Sequence, residues 1–520
     1  MIRVNPVKVP VVHDIEQVLI NTAKVLRAAR NRIKDYRIHK KSIDARDREN
    51  VFFVYSVDVE VENEGKYLKF GNVSPVYDAG CFFVPERIPE RPVVVGSGPA
   101  GLFAALFLAE HGAKPIIIER GKEVSGRKKD VELFFNTGLL NTESNVQFGE
   151  GGAGTFSDGK LTTGTHDCRI GKVLETFVGA GAPEDIMYES KPHIGTDNLI
   201  NVVQNIRERI VSLGGEFRFR NKLTGLAIQN GAVKSVTVLD GVNGRSYEIG
   251  TESVILAVGH SARDTFGMLH DGGVAMKPKN FAVGFRIEHR QEMINRTQYG
   301  EFAKHLPPAD YKLTHRTKQG RGVYTFCMCP GGVVIPAASE AGGLCINGMS
   351  DRARDGENAN SAILVSVGTE DFGANVFDGI NFQHELERAA YNVAGNYTAP
   401  VQLLGDFIKN AASRELMDVV PSYKPGYEFC NLNDYFDGFI CDAVKEAVAD
   451  MERRLPGFAH HGAVLTAIES RSSSPVTVVR DHNCESNIKG LFPCGEGAGY
   501  AGGIMSAAAD GLRCGERVMG

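Results

Sequence analysis

Apolar residues first fall at helical spacing over residues 15–26, where Ile15, Val18, Leu19, Thr22 and Leu26 share one face. A short β pattern over residues 7–12 precedes this helix. Behind it, Val57-Asp58-Val59-Glu60-Val61 alternates with period two, as a sheet with one wet face does. These elements predict a small α+β domain over residues 1–86. Pro85, Pro89 and Pro92 then punctuate the chain, and from Val93 the pattern becomes continuously apolar. The order there is strand (93–95), glycine turn, helix (102–111) and strand (115–119), a βαβ unit with parallel strands. A helix over 199–213, a strand over 217–220, a hairpin-like pair around Asn230-Gly231 and a buried strand over 254–258 follow. Residues 266–465 mix β-rich and helical patterns, and dinucleotide-style glycines return only near the C-terminus. The chain therefore reads as α/β, with a Rossmann-like nucleotide-binding domain (88–265 plus 466–520) interrupted by a β-rich α+β substrate domain (266–465).

Composition changes this picture little. A chain of 520 residues needs two or three domains, and 42% hydrophobic with 23% charged residues is ordinary for a globular protein. The 59 glycines are an excess that suits phosphate-hugging turns. A net charge of -5 argues against a general nucleic-acid or membrane-surface role. The first fifty residues nevertheless carry twelve Lys/Arg against six Asp/Glu, concentrated in Arg27, Arg30, Arg32, Lys34, Arg37, Lys40, Lys41, Arg46 and Arg48. Without interleaved aromatics, that run reads as a solvated face. The ten cysteines include no CxxC pair, and no stretch has the length and apolarity of a signal peptide or membrane span. A reduced, cytoplasmic protein is expected.

The chemistry concentrates in Gly96-Ser97-Gly98-Pro99-Ala100-Gly101. Gly96 permits the tight bend, Gly98 lets backbone approach a pyrophosphate, and Gly101 lets the helix pack on the strand. The helix N-terminus adds free N–H groups and positive partial charge. Two further GxGxxG patterns, at Gly149-Gly151-Gly154 and Gly497-Gly499-Gly502, lack a preceding strand and following helix. Only the first has Val93-Val94-Val95 before it and Glu119 closing the next strand, where a carboxylate accepts from both ribose hydroxyls of adenosine. This says dinucleotide, without choosing between NAD and FAD.

Resemblance makes that choice. Glu119-Arg120-Gly121 followed by Arg127 looks like the segment after the ribose-binding acid in many FAD proteins. Gly151-Gly152-Ala153-Gly154-Thr155-Phe156-Ser157-Asp158 is similar to the second glycine loop beside the flavin in succinate-dehydrogenase-like flavoproteins. Val254 through Ala257-Val258-Gly259 resembles the strand ending in Ala-Thr-Gly of these folds, with Val258 in place of threonine. Gly495-Glu496 resembles the Gly-Asp turn whose acid holds the ribityl chain, and Gly503-Ile504-Met505 looks like the start of a helix under the isoalloxazine ring. Residues 191–197, 259–265 and 494–503 together resemble the bacterial uncharacterised FAD-dependent dehydrogenases, within the glutathione-reductase-like flavoprotein superfamily. The resemblance implies non-covalent FAD and a redox reaction, with no substrate attached.

A flavin enzyme also needs groups that bind substrate and move its proton. His193 and His260 lie in glycine-flanked loops, while Arg286 and Arg471 have the chemistry to clamp a carboxylate. Cys327-Met328-Cys329 is expected to place its thiols on opposite faces of a strand, as lining or buried groups rather than a redox or metal site. No metal site is predicted. The expected activity is hydride transfer between flavin N5 and a small organic substrate entering between the two large domains. NADH or NADPH is a candidate transient donor, although a second dinucleotide fingerprint is missing. The rival is a flavin-containing binding protein whose basic N-terminal domain engages RNA or a protein partner.

Overall fold

The computed structural model of the chain describes residues 1–77, 80 and 83–520. Its N-terminal unit is an antiparallel sheet in the order Ile33–Asp44, Phe52–Val61, Ile2–Pro10, Val73–Pro75, with the helix Ile15–Leu26 against it. Asp14 caps that helix by accepting from the Gln17 N–H at 2.8 Å. Val18, Leu19, Thr22, Ala23 and Leu26 are buried, whereas Ile15 is exposed. The first strand starts at Ile2, well before the β pattern predicted from residue 7. A register shift between Val4 and Val7 explains this, because Ile2 and Val4 are buried in one phase and Val7 and Val9 in the other.

The middle of the basic run, Lys34 to Lys41, lies on an edge strand, Ile33–Asp44, which the sequence pattern did not predict. Charged side chains along an edge discourage pairing with other chains. Carboxylates of the same unit face many of them: Arg37 pairs with Asp58, Arg30 with Glu16, and both Arg32 and Lys34 with Glu62. Lys41 docks this edge on the next unit, taking a backbone bond from its N–H to the Tyr188 carbonyl (2.7 Å) and a side-chain bond to Glu189 (2.8 Å).

The nucleotide unit holds a five-stranded parallel sheet in the order Leu491–Pro493, Val254–Leu256, Val93–Val95, Ile116–Glu119, Glu216–Phe219. Pro99–Glu110 packs on it, with Ile504–Met519 alongside. The helix begins three residues before the predicted 102 because Pro99 occupies its first position, where a missing N–H costs nothing. Asn221–Gln229, Ala232–Asp240 and Ser246–Gly250 form a separate antiparallel meander, and its first turn uses the left-handed pair Asn230-Gly231. No helix among the described residues is long and apolar enough to cross a membrane.

The substrate unit is a seven-stranded mixed sheet in the order Thr314–Arg316, Gly322–Cys329, Asn358–Val367, Phe281–Arg290, Val464–Glu469, Ala399–Leu403, Tyr427–Phe429. The expected boundary at 465/466 falls inside Val464–Glu469. That strand pairs with Phe281–Arg290 out to Glu469, so the substrate unit extends past it. Where the chain leaves and returns, Met276–Pro278 pairs with Val476–Val478. Eight cysteines are free thiols, Cys168 is disulfide-bonded and Cys81 lies outside the described residues, so the expectation of a fully reduced chain does not hold at Cys168.

A buried ionic cluster joins the two large units. Glu387, on the helix Asp378–Ala394, takes Arg263 at 2.9 and 3.1 Å and Arg471 at 2.9 and 2.7 Å, both bidentate. Burial opposes the Glu387 charge, but Arg471 and Arg263 outweigh it and hold the carboxyl well below its ordinary range. Its stabilising effect is therefore present above the ordinary carboxylate pKa and is lost as pH falls through the folded value. Removing it leaves two buried cations. Glu387→Ala is predicted to destabilise the fold by about 3–5 kcal/mol, measured by urea denaturation; an unchanged midpoint contradicts this.

Candidate functional site

The strand Val93–Val95 ends in Gly96, whose φ of 98° lies in the left-handed region. A Cβ there would sit 2.3 Å from the Ala257 carbonyl oxygen, so the turn closes only without a side chain. Gly98 caps the following helix, which leaves first-turn N–H groups free for an anion. Against this turn lies the loop Gly149 to Gly154. The Gly151 N–H donates to the Ser97 carbonyl at 2.8 Å, and a Cβ on Gly152 would come within 2.9 Å of the Gly98 Cα.

Glu119 ties these pieces together. One carboxylate oxygen accepts from the Ser97 N–H (2.9 Å) and hydroxyl (2.7 Å), the other from the N–H groups of Gly121 (2.9 Å) and Gly149 (3.0 Å). Four donors fill the four acceptor positions of a carboxylate. The sequence reading left both oxygens for a ribose. In the folded chain the Ser97 hydroxyl is the donor that can rotate away and yield its place to a ribose hydroxyl.

Four carboxyl ends of the parallel strands open on a cavity of about 580 Å³, at the point where strand order reverses around Val93–Val95. Of the expected cofactor residues, Gly96, Gly98, Pro99, Ala100, Glu119, Arg120, Gly152, Ala153, Gly154, Ser157, Asp158, Ala257, Gly259, Glu496, Gly503 and Ile504 line it. Gly101, Arg127, Thr155, Gly495 and Met505 stand behind that lining. Arg127 is a correction with a clear cause: it is wholly buried and donates to the carbonyls of Asn145 (2.8 Å), Val146 (2.9 Å), Gly149 (3.3 Å) and Glu150 (2.6 Å). Burial lowers it to about 10, which leaves it charged. It shapes the second loop from behind the cavity lining.

At the far end the helix Ile504–Met519 starts from Gly503, and a Cβ built on Gly502 or Gly503 meets no atom within 4 Å. Backbone thus borders open cavity beside the positive helix end, a seat that fits a flat ring carrying negative charge. Glu496 and His260 face each other there, Oε1 to Nε2, at 3.9 Å, and the Ser261 hydroxyl lies 3.2 Å from His260 Nδ1. Burial pushes Glu496 up to about 7 against the pull of Lys279. Burial, assisted by Arg471, pushes His260 down to about 3. His260 is therefore neutral at physiological pH, and Glu496 titrates there.

The opposite wall comes from the substrate unit: Phe326, Cys327, Asn347, Arg354 and Glu469. Asp158 is bonded to Ser350 and to Arg354 Nε (2.9 Å) and lies 3.4 Å from Lys160. Burial opposes its charge, but Lys160 and Arg354 prevail and lower its pKa. Asp158 accordingly bridges the second loop to the substrate unit.

Two catalytic candidates lie outside the cavity lining and a third is fully engaged. His193 meets the Arg352 carbonyl at 3.1 Å, and burial followed by the Arg354 charge lowers it to about 4. Arg286 is buried, with donors committed to Glu469 (2.6 Å), Asn360 (2.5 Å), Asn347 (3.1 Å) and the Cys327 carbonyl (3.2 Å). Arg471 touches the cavity but is spent on Glu387, Ser339 (2.6 Å) and Ser261 (3.1 Å). Neither arginine has a fork left for a substrate carboxylate. His260 lines the cavity. Lys160, Arg354 and Glu469 escaped the sequence reading; Lys160 closes the second glycine loop and Glu469 opens the run containing Arg471, whereas Arg354 has no local signal. Cys494, Asp510 and Cys514 come together, but Arg480 occupies Asp510 at 2.6 and 3.0 Å.

Residues 280–472 match the family model of the FAD-dependent protein C-terminal domain, and residues 90–298 that of the pyridine nucleotide-disulphide oxidoreductases. Residues 1–60 match a domain of unknown function. An uncharacterized protein of Clostridium beijerinckii is 47% identical over 535 residues, covering 100% of this chain and 98% of its own. Among solved structures, E. coli quinol fumarate reductase is 12% identical, with a TM-score of 0.35 and coverage of 83% of this chain and 70% of that one. L-proline dehydrogenase from P. horikoshii is 10% identical, also at 0.35, with coverage of 83% and 93%. Those scores are too low to bear on function.

Glu119→Gln is predicted to weaken FAD binding about tenfold or more. The substituted amide presents N–H groups to backbone N–H groups and leaves buried donors unpaired, at about 1–3 kcal/mol each. Fluorescence titration of apoprotein with FAD measures this; an unchanged Kd contradicts it.

Proposed function

Because the chain belongs to the family of FAD-dependent proteins represented by the Clostridium beijerinckii relative, we propose that it is an oxidoreductase passing hydride between a small organic substrate and flavin N5. The observation that carries this reading is a cavity walled on one side by the glycine turns and on the other by the substrate sheet. Bound FAD supplies the hydride acceptor or donor. The chain supplies position: the Gly96 turn and the first helix face the pyrophosphate, Ser97 and Glu119 the adenosine ribose, and the helix from Gly503 the flavin ring. No covalent attachment is invoked, and NADH or NADPH is proposed as a transient donor.

The His260–Glu496 pair manages the proton. Glu496 Oε1 faces His260, which leaves the other oxygen for a ribityl hydroxyl. With Glu496 poised at about 7, its carboxylate takes the proton that a substrate sheds as hydride leaves. Neutral His260, with the Ser261 hydroxyl 3.2 Å from its Nδ1, faces that carboxylate at 3.9 Å. Lys160 and Arg354 line the cavity where the substrate unit meets it, both paired with Asp158. In the proposed setting the protein is cytoplasmic and has a small-molecule partner.

The test needs no known substrate. The absorbance of the FAD-loaded protein is predicted to shift with an apparent pKa of about 7, and the shift to vanish in Glu496→Gln while FAD stays bound. An identical titration in the variant contradicts the assignment. In an anaerobic screen of organic donors, the donor that bleaches the flavin is expected to react faster as pH rises through that value, with Glu496→Gln slower by about 10²-fold at the upper end. Failure of all metabolite and nicotinamide donors to bleach the flavin contradicts the proposed activity.

A further inference from the structure

We propose that a second cavity, which adjoins the first at Arg120, binds a phosphate-bearing small molecule. The site is independent of the flavin reaction proposed above. This cavity measures about 390 Å³ and is lined from several separate stretches of chain: Arg120 and Lys122 after the strand Ile116–Glu119, the loop at Ser144, Arg220 and Lys222 where the strand Asn221–Gln229 begins, and the turn at Gly241. Small-ligand pockets run to about 300–1,000 Å³, so there is room for more than a bare ion. Arg120 and Lys222 line both cavities and stand between them.

Charge and unused donors decide what fits. Arg120, Lys122, Arg220 and Lys222 line the cavity against one carboxylate, Glu143, with Asp264 and Asp130 behind the lining. Arg120 is held by Glu143 (2.8 Å) and Asp264 (3.0 and 3.1 Å), Lys222 by Glu143 (3.4 Å) and Asp264, and Lys122 by Asp130 (2.7 Å). Three carboxylates thus meet four cations, and the surplus charge stands on Arg220. No carboxylate among the described residues pairs with it, and its guanidinium makes only a long bond, 3.4 Å, to the Gly241 carbonyl. Arg220 is also left-handed, with φ 59°, a region that residues other than glycine seldom enter. Its N–H donates to the Gly121 carbonyl at 2.8 Å and its carbonyl accepts from the Gly241 N–H at 2.7 Å, so a fixed turn carries the unpaired side chain. Ser144 supplies a second unused donor: it lines the same cavity, is buried, and its hydroxyl has no hydrogen-bond partner. Leaving such a hydroxyl unpaired is costly, and a ligand oxygen removes that cost. A guanidinium fork, a hydroxyl and two ammonium groups arriving from separate stretches suit a tetrahedral phosphate, whose oxygens point in several directions, better than a planar carboxylate.

Calorimetric titration of the FAD-loaded protein with inorganic pyrophosphate, and in parallel with NADP⁺ and NAD⁺, tests this; bound FAD keeps the first cavity filled. Pyrophosphate or NADP⁺ is expected to bind, more weakly as salt rises. Arg220→Gln and Lys122→Gln are each expected to weaken that binding about tenfold while the flavin spectrum stays that of wild type. The two variants are read separately, so that misfolding of one leaves the other. Binding of pyrophosphate points to a free phosphate compound, and binding of NADP⁺ without NAD⁺ to the phosphate of a nucleotide. No binding of either, or equal affinity in wild type and both variants, overturns the phosphate site.

Discussion

One carboxylate sets the geometry of the nucleotide end. Glu119 holds the Ser97, Gly121 and Gly149 amides and the Ser97 hydroxyl at 2.7–3.0 Å. Each such bond to a charged acceptor is worth about 1.5–3 kcal/mol. The first glycine turn, the exit of the second strand and the second glycine loop therefore cannot be placed independently. Arg127 secures the same loop from behind through four carbonyls, and Glu150 adds a bond to the Val124 amide at 2.7 Å. These contacts within the chain order the loops around the cavity, which keeps the ordering cost of binding low.

The other half of the site depends on how the substrate unit docks. Glu387 between Arg263 and Arg471 fixes that interface, and Arg286 with Glu469 fixes the sheet that supplies the opposing wall. Asp158 completes the frame by taking Arg354 from the substrate unit, with Lys160 beside it on the same loop. Glu496 and His260 are partly buried at the cavity wall, and desolvation favours the neutral form of each. The reactive end of the cavity is thus set by the contacts that join the units.

Local features were legible in the sequence. The strand, turn and helix around Gly96 and the closing Glu119 are near neighbours in the chain, and their chemistry follows from backbone geometry alone. The roles of Arg286 and Arg471 were not legible. Their carboxylates, Glu469 and Glu387, are 183 and 84 residues away, and an arginine awaiting a substrate looks the same in sequence as one already paired. His193 was similarly ambiguous until Arg352 was seen beside it. Irregular strands hid two more features. The shift at Val4/Val7 masked the first strand, and the shift between Phe326 and Cys329 was equally hidden. The boundary at 465 failed because a strand that pairs in one sheet carries the chain back toward another.

The most direct measurement is an electron-density map of the chain crystallised with FAD. The account predicts one extended FAD in the cavity, with its pyrophosphate over the Gly96 turn, its adenosine ribose displacing the Ser97 hydroxyl from Glu119, and its ring between Gly503 and Cys327. FAD lying elsewhere, or bound in the cavity with the Ser97–Glu119 bond intact and the ring away from Glu496, contradicts it.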